Sequence, residues 1–189
     1  MNTYSPIPEL NLLQEFEDSL EGEEFSEGFE LFEYGRPEAG LAEWLSLETP
    51  DPSVRRALDQ LIPFAHATGS GSFYALWRCD DRTDLATLPV IFFGDEGGLD
   101  VVAQGLRDLF QLLALDDEWL LPWDPTREHS AGHPAYLAWL ESTFGLTMPD
   151  SPDPIVNAAR HEYGRRFLDW ALQSLSRDLE IEGLTAEPV

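Results

Sequence analysis

Lysine is absent from this chain, and that absence removes several chemistries at once. A Walker-A phosphate loop, a protein-kinase ATP lysine, a pyridoxal Schiff base and a Ser-x-x-Lys nucleophile each need that amine. Positive charge rests on eleven arginines, whose planar, multi-donor guanidinium suits pairing with carboxylates. Cysteine is nearly absent as well. With Cys79 alone there is neither an intramolecular disulfide nor a cysteine metal cluster, and between Arg78 and Asp80-Asp81 it is read as an incidental residue at a strand end. No Gly-x-Ser-x-Gly elbow occurs. No apolar run approaches the length of a membrane span. The opening Met1-Asn2-Thr3-Tyr4-Ser5-Pro6 lacks the basic-then-apolar order of a secretory signal, so a cytoplasmic protein that does not engage the membrane is expected.

What is present in excess is negative charge. Thirty-six acids against eleven bases give a formal net charge of −25, and it is unevenly spread. Residues 1–51 carry fourteen acids and only Arg36, residues 52–115 carry eight acids and five arginines, and residues 116–189 carry fourteen acids and five arginines. Such a field repels nucleic acid and anionic lipid while attracting cationic proteins and speeding their encounter. A hydrophobic fraction of 43% over 189 residues excludes a wholly disordered chain and is enough for one self-supporting core.

The stretch from Leu61 to Leu115 organises the chain. Leu61-Ile62-Pro63-Phe64-Ala65, Phe73-Tyr74-Ala75-Leu76-Trp77, Leu88-Pro89-Val90-Ile91-Phe92-Phe93 and Val101-Val102-Ala103 are short runs of aromatic and β-branched residues separated by glycine-rich turns. That pattern predicts successive strands of an antiparallel β-meander, closed by a helix over Leu106 to Leu115. Upstream, Leu12, Leu13, Phe16 and Leu20 form a helical stripe ending near Gly22, and Glu21 to Gly28 reads as a solvated acidic turn. Phe29 to Tyr34 alternates like an edge strand, while Leu41, Trp44 and Leu45 suggest a one-sided helix. Asp51 or Ser53 is placed to cap a helix through Leu58 and Leu61. Downstream, Asp116-Asp117-Glu118 is placed to cap a short helix carrying Trp119, Leu120 and Leu121. A surface loop from Trp123 to Pro134 and a helix from Ala135 to about Gly145 follow. A long helix from Ser151 then presents Val156, Ala159, Tyr163, Phe167, Trp170 and Leu175 on one face and ends near Gly183. The expected fold is a single α+β domain over 1–189, an antiparallel meander sheet covered by helices. Its core lies at about 41–115, with an acidic N-terminal extension over 1–40 and a helical C-terminal part over 116–184.

Several motifs touch on chemistry and fall short of it. Gly69-Ser70-Gly71-Ser72 would put the third glycine of a dinucleotide loop at Tyr74 and leads into a strand, so a hairpin turn is expected and no cofactor. Asp80-Asp81-Arg82-Thr83-Asp84 lacks EF-hand spacing and reads as a polar inter-strand loop. Asp95-Glu96-Gly97-Gly98, with Asp100 beyond, offers paired carboxylates for glycoside hydrolysis, yet tight turns select Asp and Gly for backbone reasons. His129 and His133 have the i,i+4 spacing of a metal pair. Gly132 and Pro134 argue against a helix that would point them together, so no metal site is expected, and no catalytic residue is assigned.

The apolar-Pro-Phe-Ala step, the glycine-rich turn, the Tyr-containing strand, the Pro-Val-apolar strand with its Asp-Glu-Gly-Gly turn and the helix Leu106-Arg107-Asp108-Leu109-Phe110-Gln111-Leu112-Leu113 resemble the SMI1/KNR4 superfamily, also called SUKH. The likeness covers roughly Trp44 to Leu115. The chain departs from the family pattern at His66-Ala67-Thr68 and at Trp77, where acidic residues are frequent. Bacterial members are similar to immunity proteins that neutralise toxins, many of them nucleases, and fungal members resemble signalling scaffolds. The resemblance and the charge together imply a non-enzymatic binding protein that masks the basic surface of a protein partner, such as a toxin domain. The expected contact residues are Asp80, Asp81, Asp95, Glu96, Asp116, Asp117 and Glu118, with Trp119 or Trp123 as an aromatic anchor. The alternatives are a carboxylate-based hydrolase using Asp95 or Glu96 with another acid, and a SUKH-type scaffold.

Overall fold

The computed structural model describes residues 4–31, 34, 41, 52–96, 98–117 and 128–175. Within them the expected α+β meander is present. Strands β1 (Glu30–Leu31), β2 (Leu61–His66), β3 (Phe73–Trp77), β4 (Val90–Phe93) and β5 (Leu99–Ala103) lie side by side in chain order, and every neighbouring pair is antiparallel. The Gly69–Ser72 segment joins β2 to β3 as a turn, and Asp95-Glu96 begins the turn from β4 to β5. Register slips by one residue between Pro63 and Ala65. Proline has no N–H to give the ladder, and a bulge is where a strand tolerates it.

The strands read as unbroken apolar runs because both faces of the sheet are covered. Successive side chains still point to opposite faces. Phe73, Ala75, Trp77, Ile91, Phe93, Leu99 and Val101 enter one cluster, while Tyr74, Leu76, Val90, Phe92 and Val102 enter the other. Helices α1 (Pro8–Ser19), α3 (Leu106–Leu113) and α4 (His133–Phe144) contribute to the second cluster. Helices α2 (Pro52–Leu58) and α6 (Arg165–Ser174) contribute to the first, and α5 (Asp153–Ala159) contributes to both. The architecture is therefore helices, sheet, helices, and no helix among the described residues is long and apolar enough to cross a membrane.

Several expected boundaries shift. In α1 the buried residues are Leu10, Leu13 and Phe16, whereas Leu12 is 39% exposed. The helix stops at Ser19 because Glu21 and Gly22 adopt positive φ. Leu61 opens β2 instead of extending α2. The long C-terminal helix is broken by a π-helical stretch, Arg160–Gly164, between α5 and α6. Val156, ahead of that stretch, belongs to one cluster, while Ala159, Phe167 and Ala171 belong to the other. Arg160 in this stretch ion-pairs with buried Asp100 on the edge strand β5, so the acid weighed as a catalytic partner instead fastens the π-helical stretch to the sheet. Trp44, Leu45 and Asp51, the helix carrying Trp119, Leu120 and Leu121, and the helix end near Gly183 lie outside the described residues.

Candidate functional site

The expected contact acids do not form one surface. Asp80 and Asp81 follow β3, whereas Asp95 and Glu96 follow β4. These strands are antiparallel, with Phe73 opposite Phe93, so the two loops lie at opposite ends of the sheet, separated by a strand length of about 13 Å. Asp80 is also engaged locally. Arg82 donates from Nε to its Oδ1 at 2.6 Å and from Nη1 to the Thr87 carbonyl at 2.5 Å, and this guanidinium holds the Asp80 carboxyl well below the usual carboxylate range. Asp95 accepts from the hydroxyl of buried Ser72 at 2.9 Å, which ties the two hairpin turns together and lowers its pKa. Asp81 and Glu96 are exposed. Glu118, Trp119 and Trp123 lie outside the described residues.

Asp116 is the clearest correction. Expected on the surface, it is 1% exposed and cannot contact a partner as the protein stands. Its carboxylate turns inward because three donors need it. Oδ1 accepts from the Glu27 amide at 2.8 Å and the Ser130 hydroxyl at 2.8 Å, and Oδ2 accepts from the Ser130 amide at 2.5 Å. The residue has φ 52°, a left-handed conformation that Asp tolerates better than most side chains. Asp117, next in the chain, is half-buried.

The same carboxylate meets both histidines that were weighed as a metal pair. His129 Nδ1 lies 3.3 Å from Asp116 Oδ2. The His129 and His133 rings stack with centroids 4.1 Å apart and 16° between planes. Pro134 does not prevent this, because it occupies the first turn of α4, where a missing N–H costs nothing. His133 opens that helix and is buried. Its Nε2 faces the Ala114 carbonyl at 2.8 Å. Gly132 makes the approach possible. Its amide donates to the Glu24 carbonyl at 2.8 Å, and a Cβ there would stand 2.8 Å from that oxygen. The i,i+4 spacing was the only signal of this cluster in the sequence; Asp116 carried none.

A second feature is an acid-lined cleft of about 640 Å³ where the end of α1, the turn after it and β1 converge. Glu17, Asp18, Glu21, Glu23, Glu24 and Glu30 line it together with Phe25 and Phe29, and no arginine does among the described residues. Several described arginines are engaged elsewhere: Arg160 with Asp100, Arg165 with Asp169, Arg166 with the Cys79 carbonyl and Arg56 with the Pro52 carbonyl. Glu17 accepts from the Leu31 amide at 3.3 Å. Burial, reinforced by Glu30 and Asp18, pushes its pKa up to about 7. The acids of this cleft are dense between residues 17 and 30, yet they read as a solvated turn because nothing local announces a concavity. No family model matches the chain, and neither does any curated protein or solved structure.

Proposed function

We propose that the chain is a non-enzymatic binding protein of the immunity type, which masks a cationic surface on a toxin-like protein partner, a nuclease domain being the class that fits best. The observation that carries this reading is the cleft in which six carboxylates stand around Phe25 and Phe29, with no arginine among its described lining residues. Carboxylates so placed attract one another's counter-charge. An incoming arginine or lysine side chain relieves their repulsion and can pair with them, bidentately in the case of arginine. A nuclease presents a cationic cleft to its substrate's phosphates, so an acidic surface competes for the same groups. The net charge of −25 adds long-range steering.

The test is association with the protein encoded beside this chain's gene, followed by surface plasmon resonance across salt concentrations. Joint reversal of Glu21, Glu23 and Glu24 to Arg is expected to slow association on the order of tenfold at low salt, with the effect fading as salt rises. Reversal of Asp80 and Asp81, at the far end of the sheet, is expected to change it much less. No binding, or an association rate indifferent to salt and to the cleft reversal, would overturn the proposal.

A carboxylate-based hydrolase is the second reading, and the structure moves its chemistry. Asp95 sits low in pKa, which makes it a poor proton donor, and Asp100 is taken up by its ion pair with Arg160. Glu17, pushed up to about 7 among other carboxylates, has the property a general acid needs. Hydrolysis of a glycoside substrate that disappears in Glu17→Gln would favour this reading over the first.

A further inference from the structure

We infer that Asp116, His129 and His133 form a binding site for one divalent transition metal ion of the zinc class. Each offers one ligand atom, and the three lie within 4.8 Å of one another. In a tetrahedral zinc site with ligand atoms about 2.1 Å from the metal, neighbouring ligand atoms stand about 3.4 Å apart. The Asp116 Oδ2 to His129 Nδ1 distance of 3.3 Å already has that spacing. The third ligand needs a small closing movement, which His129, with 38% of its side chain exposed, is free to supply.

The surroundings prepare the ligands. The Ala114 carbonyl can only accept, so His133 donates to it from Nε2–H at 2.8 Å, which leaves Nδ1 as the ring nitrogen available to a metal. A backbone carbonyl that fixes the tautomer of a ligating histidine is the usual outer-shell partner of a metal site. Asp116 is oriented by the Glu27 amide and by the amide and hydroxyl of Ser130. These bonds leave lone pairs to spare, since a carboxylate has about four acceptor positions. Two imidazoles and one carboxylate favour zinc-class ions over magnesium or calcium, which take oxygen ligands. Three protein ligands leave a fourth position for water or for a partner's side chain. A plain Asp116–His129 ion pair would explain the 3.3 Å contact. It would not explain a second histidine, buried, tautomer-fixed and stacked against the first.

The whole chain, stripped with a chelator, is titrated with Zn²⁺ by calorimetry in excess Mg²⁺, which occupies the general acidic surface. One saturable site per chain is expected, and His129→Ala should weaken it by at least about tenfold, the loss that even outer-shell changes produce. Substitution of buried His133 or Asp116 risks unfolding, so exposed His129 is the informative position, with exposed His161→Ala as the control that changes nothing. Co²⁺ in place of Zn²⁺ should give visible ligand-field bands in the native chain and in His161→Ala, and lose them in His129→Ala. Uptake that does not saturate, that Mg²⁺ abolishes, or that His129→Ala leaves unchanged would overturn the inference.

Discussion

Phe64 and Phe92 were read as core from their place in apolar runs, and each is essentially without exposed surface. Phe92 meets Tyr74 edge-on with ring centroids 5.9 Å apart, and Tyr74 in turn stacks near Phe64 at 6.4 Å. Truncation at either site removes transfer energy and leaves a cavity that rigid neighbours on the sheet fill poorly. Phe64→Ala or Phe92→Ala is therefore expected to lower stability by about 3–5 kcal/mol in urea denaturation; a wild-type midpoint would remove these residues from the core. Asp116 shows the opposite case at the same scale. An acid in a run of acids is ordinarily solvated, and only the convergence of the Glu27 and Ser130 donors on one point draws this one inside. Asp100 is similar, since its burial is tolerated only because Arg160 arrives from sixty residues away.

Among the elements, the meander was the most legible. Its turns follow from glycine and Asp chemistry and its strands from β-branched and aromatic runs, all of which act between sequence neighbours. Helix faces were less so. The expected stripe of α1 takes in Leu12 beside Leu13, Phe16 and Leu20 because spacing alone does not say which of two adjacent faces is buried, and the π-helical stretch interrupts the C-terminal helix without any proline to mark it. The contact between α1 and β1 also sets a pH dependence. Glu17 has a folded pKa of about 7 against an ordinary 4.5, so the folded chain holds its proton over an interval in which the unfolded chain has released it. Stability from this group is full below about 4.5 and falls as pH rises towards 7, after which the penalty is constant. Glu17→Gln should flatten that part of the stability profile, read from denaturation midpoints between those limits; an unchanged slope would place the titration on another group.

At the scale of the whole molecule, a net charge of −25 opposes compaction through self-repulsion, and only a few described ion pairs offset it. Raising ionic strength from about 0.01 M to 1 M shortens the Debye length from about 30 Å to about 3 Å. The thermal midpoint is therefore expected to rise with added sodium chloride by roughly 2–4 °C, the shift that about 1 kcal/mol produces in a chain of this size. A midpoint that falls with salt would mean that favourable pairs outweigh the repulsion. Charge, the missing amine chemistries, the order of strands and turns and the existence of amphipathic helices were determined by the sequence alone, because each depends on composition or on residues a few positions apart. The covering of both sheet faces, the separation of the Asp80 and Asp95 loops, the acid-lined cleft and the meeting of Asp116 with His129 and His133 were decided only by tertiary structure. Each of these depends on where distant segments pack, and packing determines which carboxylates stay in water and which are drawn into contact.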